Sequence, residues 1–533
     1  MKNLILLLSL VISFIAPQCT YSQSFTNIFG GDHNDSGAAI CSTSDGNIVV
    51  AGSSFSFMTE GLDIYVVKFN TEGDTLWSIY IGRDTTDFDG FHSEESVAVI
   101  ENEANEIIVC GTLHIVGASD YHATILHRIS ADGNILQTRI YEIMAADDMV
   151  EMDNGSYMIC GTGFSGFAQP QAQVMMVDQN FDIQWSTQYT GSEVEDSGLD
   201  GICKVNENEY VVVGYVRGHD IYTGLLSGID TLGNITWATE LFNGIDEDIL
   251  FTCVERYDEN SVICAGVTGF FGYSKAPSIW KFNTSGERQW QYTNPASSGI
   301  LEYRDVLLNE DGNIAACGRY DTTYWTDETV GLFTLLNADG EMLKSKLLHD
   351  TANVYFSAMT QLNGAYYLTG PHGTGGINNN VLLVRNNFFN TDSLCGLVND
   401  YEGVSFGGTE TFANYEPEFP LHAASQTPYN VRIGRGANVS EICSHFENFD
   451  VGIEESTANS EELIYPNPFM QSFNIESKQH ITHVQIIDLN GRIIACELEN
   501  NMISFPNSVS AGIYVLTYTL ADGKSLVKKI VKE

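Results

Sequence analysis

Hydrophobic and polar positions alternate along most of the chain in short runs that are rich in β-branched and aromatic residues. The stretch DIYVVKFNTEGDTLWSIYIG, residues 63–82, is typical, because two such runs flank an NTEGD turn. Asp or Asn next to Gly supplies the positive φ that tight hairpin turns need. Helical periodicity is absent, so the pattern predicts an all-β fold built from hairpins.

A glycine that ends a β-rich run recurs along the chain at intervals of 50 to 59 residues. The seven positions are Gly52, Gly111, Gly161, Gly214, Gly266, Gly318 and Gly370. Each interval contains four strand-like runs, and a fixed period of this size is typical of repeat arrays. Seven four-stranded antiparallel units predict a seven-bladed β-propeller, with an open solenoid as the alternative.

The ring is predicted to close through the N-terminal strand. The seventh unit stops one strand early, whereas FTNIFG at 25–30 aligns with WSIYIG at 77–82, with Phe25 in place of Trp77. A closing strand removes the exposed sheet edges of an open array. Trp marks the fourth strand of four blades, and the alignment places Leu136 and Leu343 at that position in the second and sixth blades.

The chain is predicted to divide into five segments. Lys2 and the apolar run at 4–16, which is too short for a membrane span, indicate a signal peptide over residues 1–23. No later segment is long and apolar enough to cross a membrane. The further segments expected are the propeller at 24–395, an irregular insert at 396–453, an acidic linker at 454–463 and a small β-sandwich at 464–533.

The propeller region resembles the repeat family called SBBP. The resemblance is carried by FGGDHNDSGAAICSTSDGNIVVAGSS, by DIYVVKFNTEGDTLWSIYIG and by weaker copies over roughly residues 25–395. It implies the propeller fold and no particular activity.

The C-terminal segment resembles the type A sorting domain of the type IX secretion system. The matching stretches are YPNP at 465–468, IIDLNGRII at 486–494, GIYVLTY at 512–518 and the basic end LVKKIVKE. The resemblance implies export across the outer membrane, removal of the tail, and either release or attachment to surface lipopolysaccharide. It therefore implies a secreted or cell-surface protein whose partner is the secretion machinery. The residues to which it assigns the sorting signal are Pro466, Asn467, Pro468, Gly512, Tyr514, Lys528 and Lys529.

The charge of the chain is strongly acidic, with 69 Asp and Glu against 24 Lys and Arg, a net charge of −45. Such a surface repels nucleic acid and anionic membranes and suits solubility or divalent cations. Most cysteines occupy repeat positions where small apolar residues stand in other blades, so they are expected to pack as such. Cys395 and Cys443 lie outside the repeats, and in an exported protein they could form a disulfide or stay free.

Acidic residues lie in or just before several predicted first strands. These are Asp35, Asp148, Asp196, Asp248 and Asp305. Repetition around a ring could bring them to the channel mouth, where Ca²⁺ could bind several carboxylate oxygens. The alternative is a structural role, in which each carboxylate accepts hydrogen bonds from neighbouring backbone N–H groups.

The turns divide the predicted propeller into two faces. The Asp/Gly turns fall on one, the tight-turn face, and the longer loops between strands two and three and between blades fall on the other, the long-loop face. Binding sites favour long loops on rigid scaffolds. Aromatic residues of two such loops could stack on sugars or anchor a protein, or could pack against the adjacent blade. They are Phe270, Phe271, Tyr273, Tyr324 and Trp325.

Signatures of catalysis are missing from the sequence, which holds no nucleophile elbow and no His-Glu-x-x-His. The features predict a non-catalytic secreted or cell-surface propeller that binds a glycan or a protein through its long-loop face. No cofactor is expected other than Ca²⁺. Two alternatives stay open: an extracellular carbohydrate-active lyase or hydrolase on the propeller, and a structural component of a surface or matrix.

Overall fold

A computed structural model describes the propeller strands with most of their turns, and the strands of the segments that follow. None of the described residues forms a helix that could cross a membrane. Contacts divide the chain into two units, residues 22–445 and a unit that holds 446–533. The described residues are 23–57, 61–83, 91–116, 121–164, 169–189, 195–218, 221–242, 247–270, 274–294, 299–321, 329–348, 353–374 and 377–386, with the strands given below for 398–446 and 463–532.

The first unit contains seven antiparallel blades, which confirms the predicted fold class. Blade 1 is formed by β2 (Asp35–Ser42), β3 (Ile48–Ser54), β4 (Gly61–Phe69) and β5 (Thr75–Arg83). Blade 2 is formed by β6 (Phe91–Glu101), β7 (Ile107–Val116), β8 (Tyr121–Ile129) and β9 (Ile135–Tyr141). Blade 3 is formed by β10 (Met144–Glu151), β11 (Tyr157–Gly163), β12 (Gln171–Val177) and β13 (Ile183–Tyr189). Blade 4 is formed by β14 (Asp196–Asn206), β15 (Glu209–Gly218), β16 (Ile221–Asp230) and β17 (Ile235–Phe242). Blade 5 is formed by β18 (Glu247–Asp258), β19 (Ser261–Phe270), β20 (Ser274–Asn283) and β21 (Arg288–Thr293). Blade 6 is formed by β22 (Gly299–Leu308), β23 (Ile314–Asp321), β24 (Thr329–Leu336) and β25 (Met342–Leu348).

Blade 7 joins the two ends of the propeller chain. Its strands are β26 (Asn353–Val354) with β27 (Ala358–Leu362), β28 (Ala365–Thr374), β29 (Ile377–Asn386) and, at the outer position, β1 (Gln23–Gly30). The strand β1 pairs antiparallel with β29, with Phe25 opposite Arg385. The first strand of the described chain is therefore the fourth strand of the last blade, and the ring closes without a free edge at that point.

The repeated glycine exists because two strands approach closely. In each of blades 1 to 6 the first strand has a bulge, such as the one between Ala146 and Asp148, beside the residue that pairs with the glycine. A Cβ at Gly161 would overlap the carbonyl oxygen of Ala145, and the corresponding glycines of blades 1, 2, 4, 5 and 6 meet a first-strand carbonyl in the same way. In blade 7, Gly370 meets the carbonyl of Tyr355, between β26 and β27. Only a residue without a side chain fits there, which explains why the position recurs.

The hydrophobic core lies between the blades. Seven clusters of buried residues are present, and each draws its members from two neighbouring blades, including one between blades 7 and 1. The buried cysteines Cys110, Cys160, Cys264 and Cys317 are free thiols within this core. Burial raises the pKa of their thiols well above the usual range, which agrees with packing as small apolar groups.

Aromatic side chains of one blade pack on the turn glycines of the next. The indole of Trp185 on β13 lies against Gly233 in the β16–β17 turn and donates a 3.1 Å hydrogen bond from Nε1 to the Thr231 carbonyl. Phe25 on β1 makes the same contact with Gly73 of blade 1. Each aromatic ring thus fastens two blades together on the tight-turn face.

Two positions of this series differ from the sequence alignment. The residue that corresponds to Trp77 is Gln137 in blade 2 and Lys344 in blade 6, one place beyond the leucines that the alignment selected. The alignment was wrong because the leucines occupy the outward-facing neighbouring position, where Leu136 and Leu343 are about half exposed. Gln137 keeps the contact between blades, since its Nε2 donates a 2.7 Å hydrogen bond to the carbonyl of Asn180.

A belt of short strands surrounds the propeller and lies within the predicted insert at 396–453. Each belt strand adds a fifth, outermost strand to one blade. In chain order, the five strands pair with blades 6, 4, 2, 1 and 7. The belt thus follows the circumference of the ring and covers the outer edges of five blades. Its strands are β30 (Val398–Asp400), β31 (Thr411–Asn414), β32 (Gln426–Thr427), β33 (Val431–Gly434) and β34 (Asn438–Phe446).

The second unit is a small β-sandwich of two four-stranded sheets. Side chains from both sheets, among them Phe473, Ile486, Tyr514 and Ile530, form one buried cluster. One sheet has the order β35 (Leu463–Tyr465), β36 (Ser472–Glu476), β40 (Met502–Ser504) and β39 (Glu497–Glu499), and the other has the order β38 (Ile493–Ile494), β37 (Ile481–Asp488), β41 (Gly512–Leu520) and β42 (Ser525–Lys532).

We expect Gly233→Ala to destabilise the propeller more than Gly46→Ala. Both glycines have φ near +78°, but a Cβ at Gly233 would lie 2.7 Å from Trp185 Cζ3, whereas Gly46 faces open space. The shared backbone strain costs about 1 kcal/mol, and displacing the indole adds roughly 1–3 kcal/mol at Gly233 only. Urea unfolding of both variants measures the difference, and equal losses would show that the indole contact contributes nothing.

We expect the mature chain ended after residue 395 to keep its β-structure but to associate with itself, because five strand edges lose their partner strand. Amide exchange should accelerate in β1, β5, β9, β17 and β25, which the belt covers, and not in β13 and β21, which have no belt strand among the described residues. A chain ended after residue 450 keeps the belt and serves as the control. Unchanged exchange and a monomeric state would contradict a protective role for the belt.

Candidate functional site

The five predicted aspartates occupy three different positions relative to the repeat glycine. Asp148 and Asp305 lie two residues after the first-strand residue that pairs with the glycine. Asp35 lies two residues before it, and Asp196 and Asp248 lie three before it. They therefore do not form one ring, and among the described residues no three His, Cys, Asp or Glu side chains are grouped to hold a metal ion.

Asp148 and Asp305 connect neighbouring blades through the backbone. Asp148 accepts hydrogen bonds from the amide of Met149 at 2.8 Å and from that of Ile202 in blade 4 at 2.9 Å. Asp305 repeats the arrangement, accepting from its neighbour Val306 at 2.8 Å and from Met359 of blade 7 at 2.7 Å. These contacts match the structural alternative that the sequence left open.

The other three aspartates also have partners in the protein. Asp35 accepts hydrogen bonds from the amide of Gly31 at 2.7 Å, from Ser56 Oγ at 2.8 Å and from Ser54. Asp196 pairs with Arg217 at 2.9 Å, and Asp248 accepts from the amide of Tyr222 at 3.1 Å. Whether any of the five also binds Ca²⁺ stays a prediction.

Carboxylates of the innermost strands act on one another across the central channel. Burial raises the pKa of Asp148 to about 6, that of Asp305 to about 7 and that of Glu255 to about 8, and the negative charges of Asp305 and Asp148 contribute to the shift of Glu255. In the bulge of blade 3, burial raises the pKa of Asp147 to about 7, and the charge of Asp148 adds to the shift. In the bulge of blade 4, burial raises the pKa of Asp200 well above its usual range, and the charge of Asp147 adds to the shift. The channel is thus a place where carboxyl groups keep protons near neutral pH.

The predicted aromatic residues and the proposed disulfide fall mostly outside the described residues. Phe271, Tyr273, Tyr324, Trp325 and Cys395 are not described, Phe270 ends β19 and Cys443 lies on β34. The ligand-binding and disulfide predictions therefore stay predictions.

The sorting-signal residues divide in the same way. Pro466, Asn467 and Pro468 are outside the described residues, as is the predicted signal peptide. Gly512 begins β41 and Tyr514 is buried in the sandwich core. Lys528 and Lys529 lie on β42, opposite Leu516 and Val515.

The structure contains a cleft of about 760 Å³ between blades 3 and 4, on the tight-turn face. Its apolar lining includes Met152, Met176, the half-buried indole of Trp185 and Leu232, whose side chain is 69% exposed. The cleft was not predicted from the sequence, because the long loops, and not the tight turns, are where a binding site is expected. We refer to it as the blade 3–4 cleft.

Polar groups surround the apolar lining. Asp153 and Asn154 in the β10–β11 turn, and Glu207 and Asn208 in the β14–β15 turn, are exposed at its rim. Tyr210 also lines the cleft, and burial, with the nearby charge of Asp153, raises its pKa to about 12. The phenol therefore keeps its proton at neutral pH and can donate a hydrogen bond. An aromatic platform beside amides and carboxylates suits a neutral hydroxylated ligand.

Comparison with known proteins identifies the C-terminal unit. Residues 463–533 match the family described as a secretion system C-terminal sorting domain. The protein is therefore secreted or carried on the outer cell surface, and its tail interacts with the type IX secretion machinery. No curated protein matches the chain.

Several solved structures resemble the chain at low sequence identity and low TM-score. An α-L-arabinofuranosidase from Fusarium graminearum is 7% identical, with a TM-score of 0.38 over 69% of this chain and 99% of that one. A protein of unknown function from Dyadobacter fermentans is 10% identical, with a TM-score of 0.38 over 68% and 98%. A glycosyl hydrolase from Bacteroides ovatus is 12% identical, with a TM-score of 0.27 over 55% and 84%. Similarity of this degree carries no argument about ligand or chemistry.

We expect Asp305→Ala to destabilise the propeller because the amides of Val306 and Met359 lose their acceptor, which costs about 1–3 kcal/mol. The folded state holds the Asp305 proton more tightly than the unfolded state does, since the folded pKa of about 7 exceeds the usual value. The stability that the group contributes is thus present at low pH and falls as pH rises from about 4 to about 7.

The loss of stability in Asp305→Ala should therefore be larger at pH 5 than at pH 8, and it should not change when Ca²⁺ or EDTA is added. Thermal unfolding at both pH values measures it, with Asp132→Ala, in an exposed turn, as the control. A loss that appears only with Ca²⁺ would instead support the metal role.

Proposed function

We propose that this protein is a secreted or surface-displayed binding protein, without catalytic activity, that holds a neutral glycan in the blade 3–4 cleft. Export is given by the C-terminal sorting domain, and the cleft carries the rest of the proposal. Its partly exposed Trp185 and the exposed Leu232 offer an apolar surface for a sugar ring, and the rim offers Asn154 and Asn208 for hydroxyl groups. A purely structural component would not need such a cleft.

The preference for a neutral ligand follows from charge. The chain carries a net charge of −45, and Glu207 lies at the rim of the cleft, where the charge of Asp153 is paired with Lys204. An acidic polysaccharide would be repelled both at long range and at the site. We also propose, from the repeat pattern alone, that the ring is of the SBBP type. Glycan or protein binding by the long-loop face remains a prediction from the sequence.

A second candidate function is hydrolysis of a glycan in the central channel. Asp147 and Asp200 favour it, because burial raises the pKa of both carboxyl groups and the charge of Asp147 raises that of Asp200 further, so that a protonated acid and an ionised carboxylate can be present together. The interactions of Asp148 and Asp305 with backbone amides point the other way, since these carboxylates are already engaged.

A glycan array probed with the mature chain tests the proposal. We expect retention of neutral oligosaccharides, with a loss of at least about tenfold in affinity for Trp185→Ala, because stacking on an aromatic ring contributes roughly 0.5–1.5 kcal/mol beyond the apolar area. Trp77→Ala removes the equivalent side chain of blade 1, far from the cleft, and is the matched control.

The same array, run with Ca²⁺ and with EDTA, tests the calcium prediction, and mass spectrometry of the bound sugars tests for cleavage. No retained glycan, or an equal loss in both Trp variants, would contradict binding at the cleft. Cleavage products that disappear in Asp147→Asn would favour the hydrolase.

A further inference from the structure

The seven blades allow each position of the cleft to be compared with its equivalents in the same chain. A tyrosine stands four residues before the repeat glycine in blades 3, 4 and 7. In blade 3, the hydroxyl of Tyr157 accepts a 3.2 Å hydrogen bond from Asn102, which opens the first turn of blade 2. In blade 7, the hydroxyl of Tyr366 accepts a 2.9 Å hydrogen bond from Asn309, at the same position of blade 6.

Blade 4 has the tyrosine but lacks its partner. In blade 3, the position that corresponds to Asn102 and Asn309 is occupied by Met152. The three residues are equivalent because the backbone amide of each donates a hydrogen bond to the carbonyl of the residue four places later in its turn. The hydroxyl of Tyr210 is buried, and the described residues offer it no hydrogen-bond partner. A buried hydroxyl without a partner is destabilising unless something else supplies the bond.

A second replacement alters the same cleft. The third-strand residue opposite the fourth-strand aromatic is Lys68 in blade 1 and Lys281 in blade 5, but Met176 in blade 3. Lys68 reaches the first turn of its own blade and binds Asp45 at 2.7 Å. Met176 cannot do this, so the space between the third strand and the first turn is apolar and open, as the cleft shows.

Both replacements, at Met152 and at Met176, make the cleft more apolar and more open. Two methionines form an apolar floor beside one buried donor, Tyr210, at a place where other blades are closed by Asn or Lys. Methionine is flexible and adapts to an inserted group, so the side chain of Met152 can move to give a ligand access to the hydroxyl. The group that fits combines a small apolar end with a hydrogen-bond acceptor next to it.

We propose that the blade 3–4 cleft selects sugars that carry an acetamido group. The methyl of the acetamido group lies against Met152 and Met176, and its carbonyl oxygen accepts the hydrogen bond that Tyr210 donates. The sugar ring lies against Trp185, and its hydroxyl groups face the amides of the rim. This inference rests on the proposed function and adds the ligand class to it.

Calorimetry with two disaccharides of the same linkage tests the selection. N,N′-diacetylchitobiose carries acetamido groups and cellobiose has hydroxyls in their place, so we expect the mature chain to bind the first at least about tenfold more tightly. Tyr210→Phe should reduce the affinity for diacetylchitobiose to that for cellobiose. Tyr157→Phe, the same change at the equivalent position of blade 3, should leave both affinities unchanged.

Met152→Asn restores the residue found in blades 2 and 6 and gives Tyr210 an internal partner. We expect this variant to lose the preference for diacetylchitobiose while its melting temperature stays the same or rises, which separates ligand loss from unfolding. Equal affinity for the two sugars, lost in Trp185→Ala, would overturn the acetamido inference and leave glycan binding at the cleft in place. If neither disaccharide binds, the inference is overturned, and the array decides the proposed function independently.

Discussion

The close approach of the first two strands in blades 1 to 6 is the constraint on which the ring depends. The bulge of the first strand brings a carbonyl oxygen to the place where the second strand would carry a side chain, so that place must be glycine. The bulge also determines which residues of the innermost strand come directly after it and pair next with the second strand. In blades 3 and 6 these are Asp148 and Asp305, whose carboxylates bind amides of the following blade.

The contacts between blades follow from the same arrangement. Because every core cluster is shared by two blades, no blade buries its apolar surface alone, and the last blade has to meet the first. The strand β1 provides this closure. Its Phe25 packs on the turn glycine of blade 1, as the tryptophans pack on the turn glycines of later blades. The belt then covers outer edges that closure leaves open, since closing the ring joins blades and does not protect their outermost strands.

Within the propeller unit, the features that repeat could be predicted from the sequence, whereas those that occur once could not. The seven glycines and the match of Phe25 to Trp77 were enough for the fold class, because each reports a contact that every blade makes. The belt strands are two to nine residues long, and a two-residue strand such as β32 has no periodicity to detect. The aspartates look like one ring in the sequence because sequence spacing does not show on which side of a bulge a residue lies.

The blade 3–4 cleft shows why divergence within a repeat points to function better than the repeat itself. A position that all blades need for packing says nothing about a ligand, and the residues that looked chemical by type, the aspartates, satisfy backbone amides. At Met152 and Met176, by contrast, the Asn of blades 2 and 6 and the Lys of blades 1 and 5 are replaced, and Tyr210 has no hydrogen-bond partner among the described residues. Folding alone gives no reason for this combination, because asparagine at position 152 would supply the partner that Tyr157 and Tyr366 already have. A ligand that completes the hydrogen bond and covers the methionines accounts for all three residues at once.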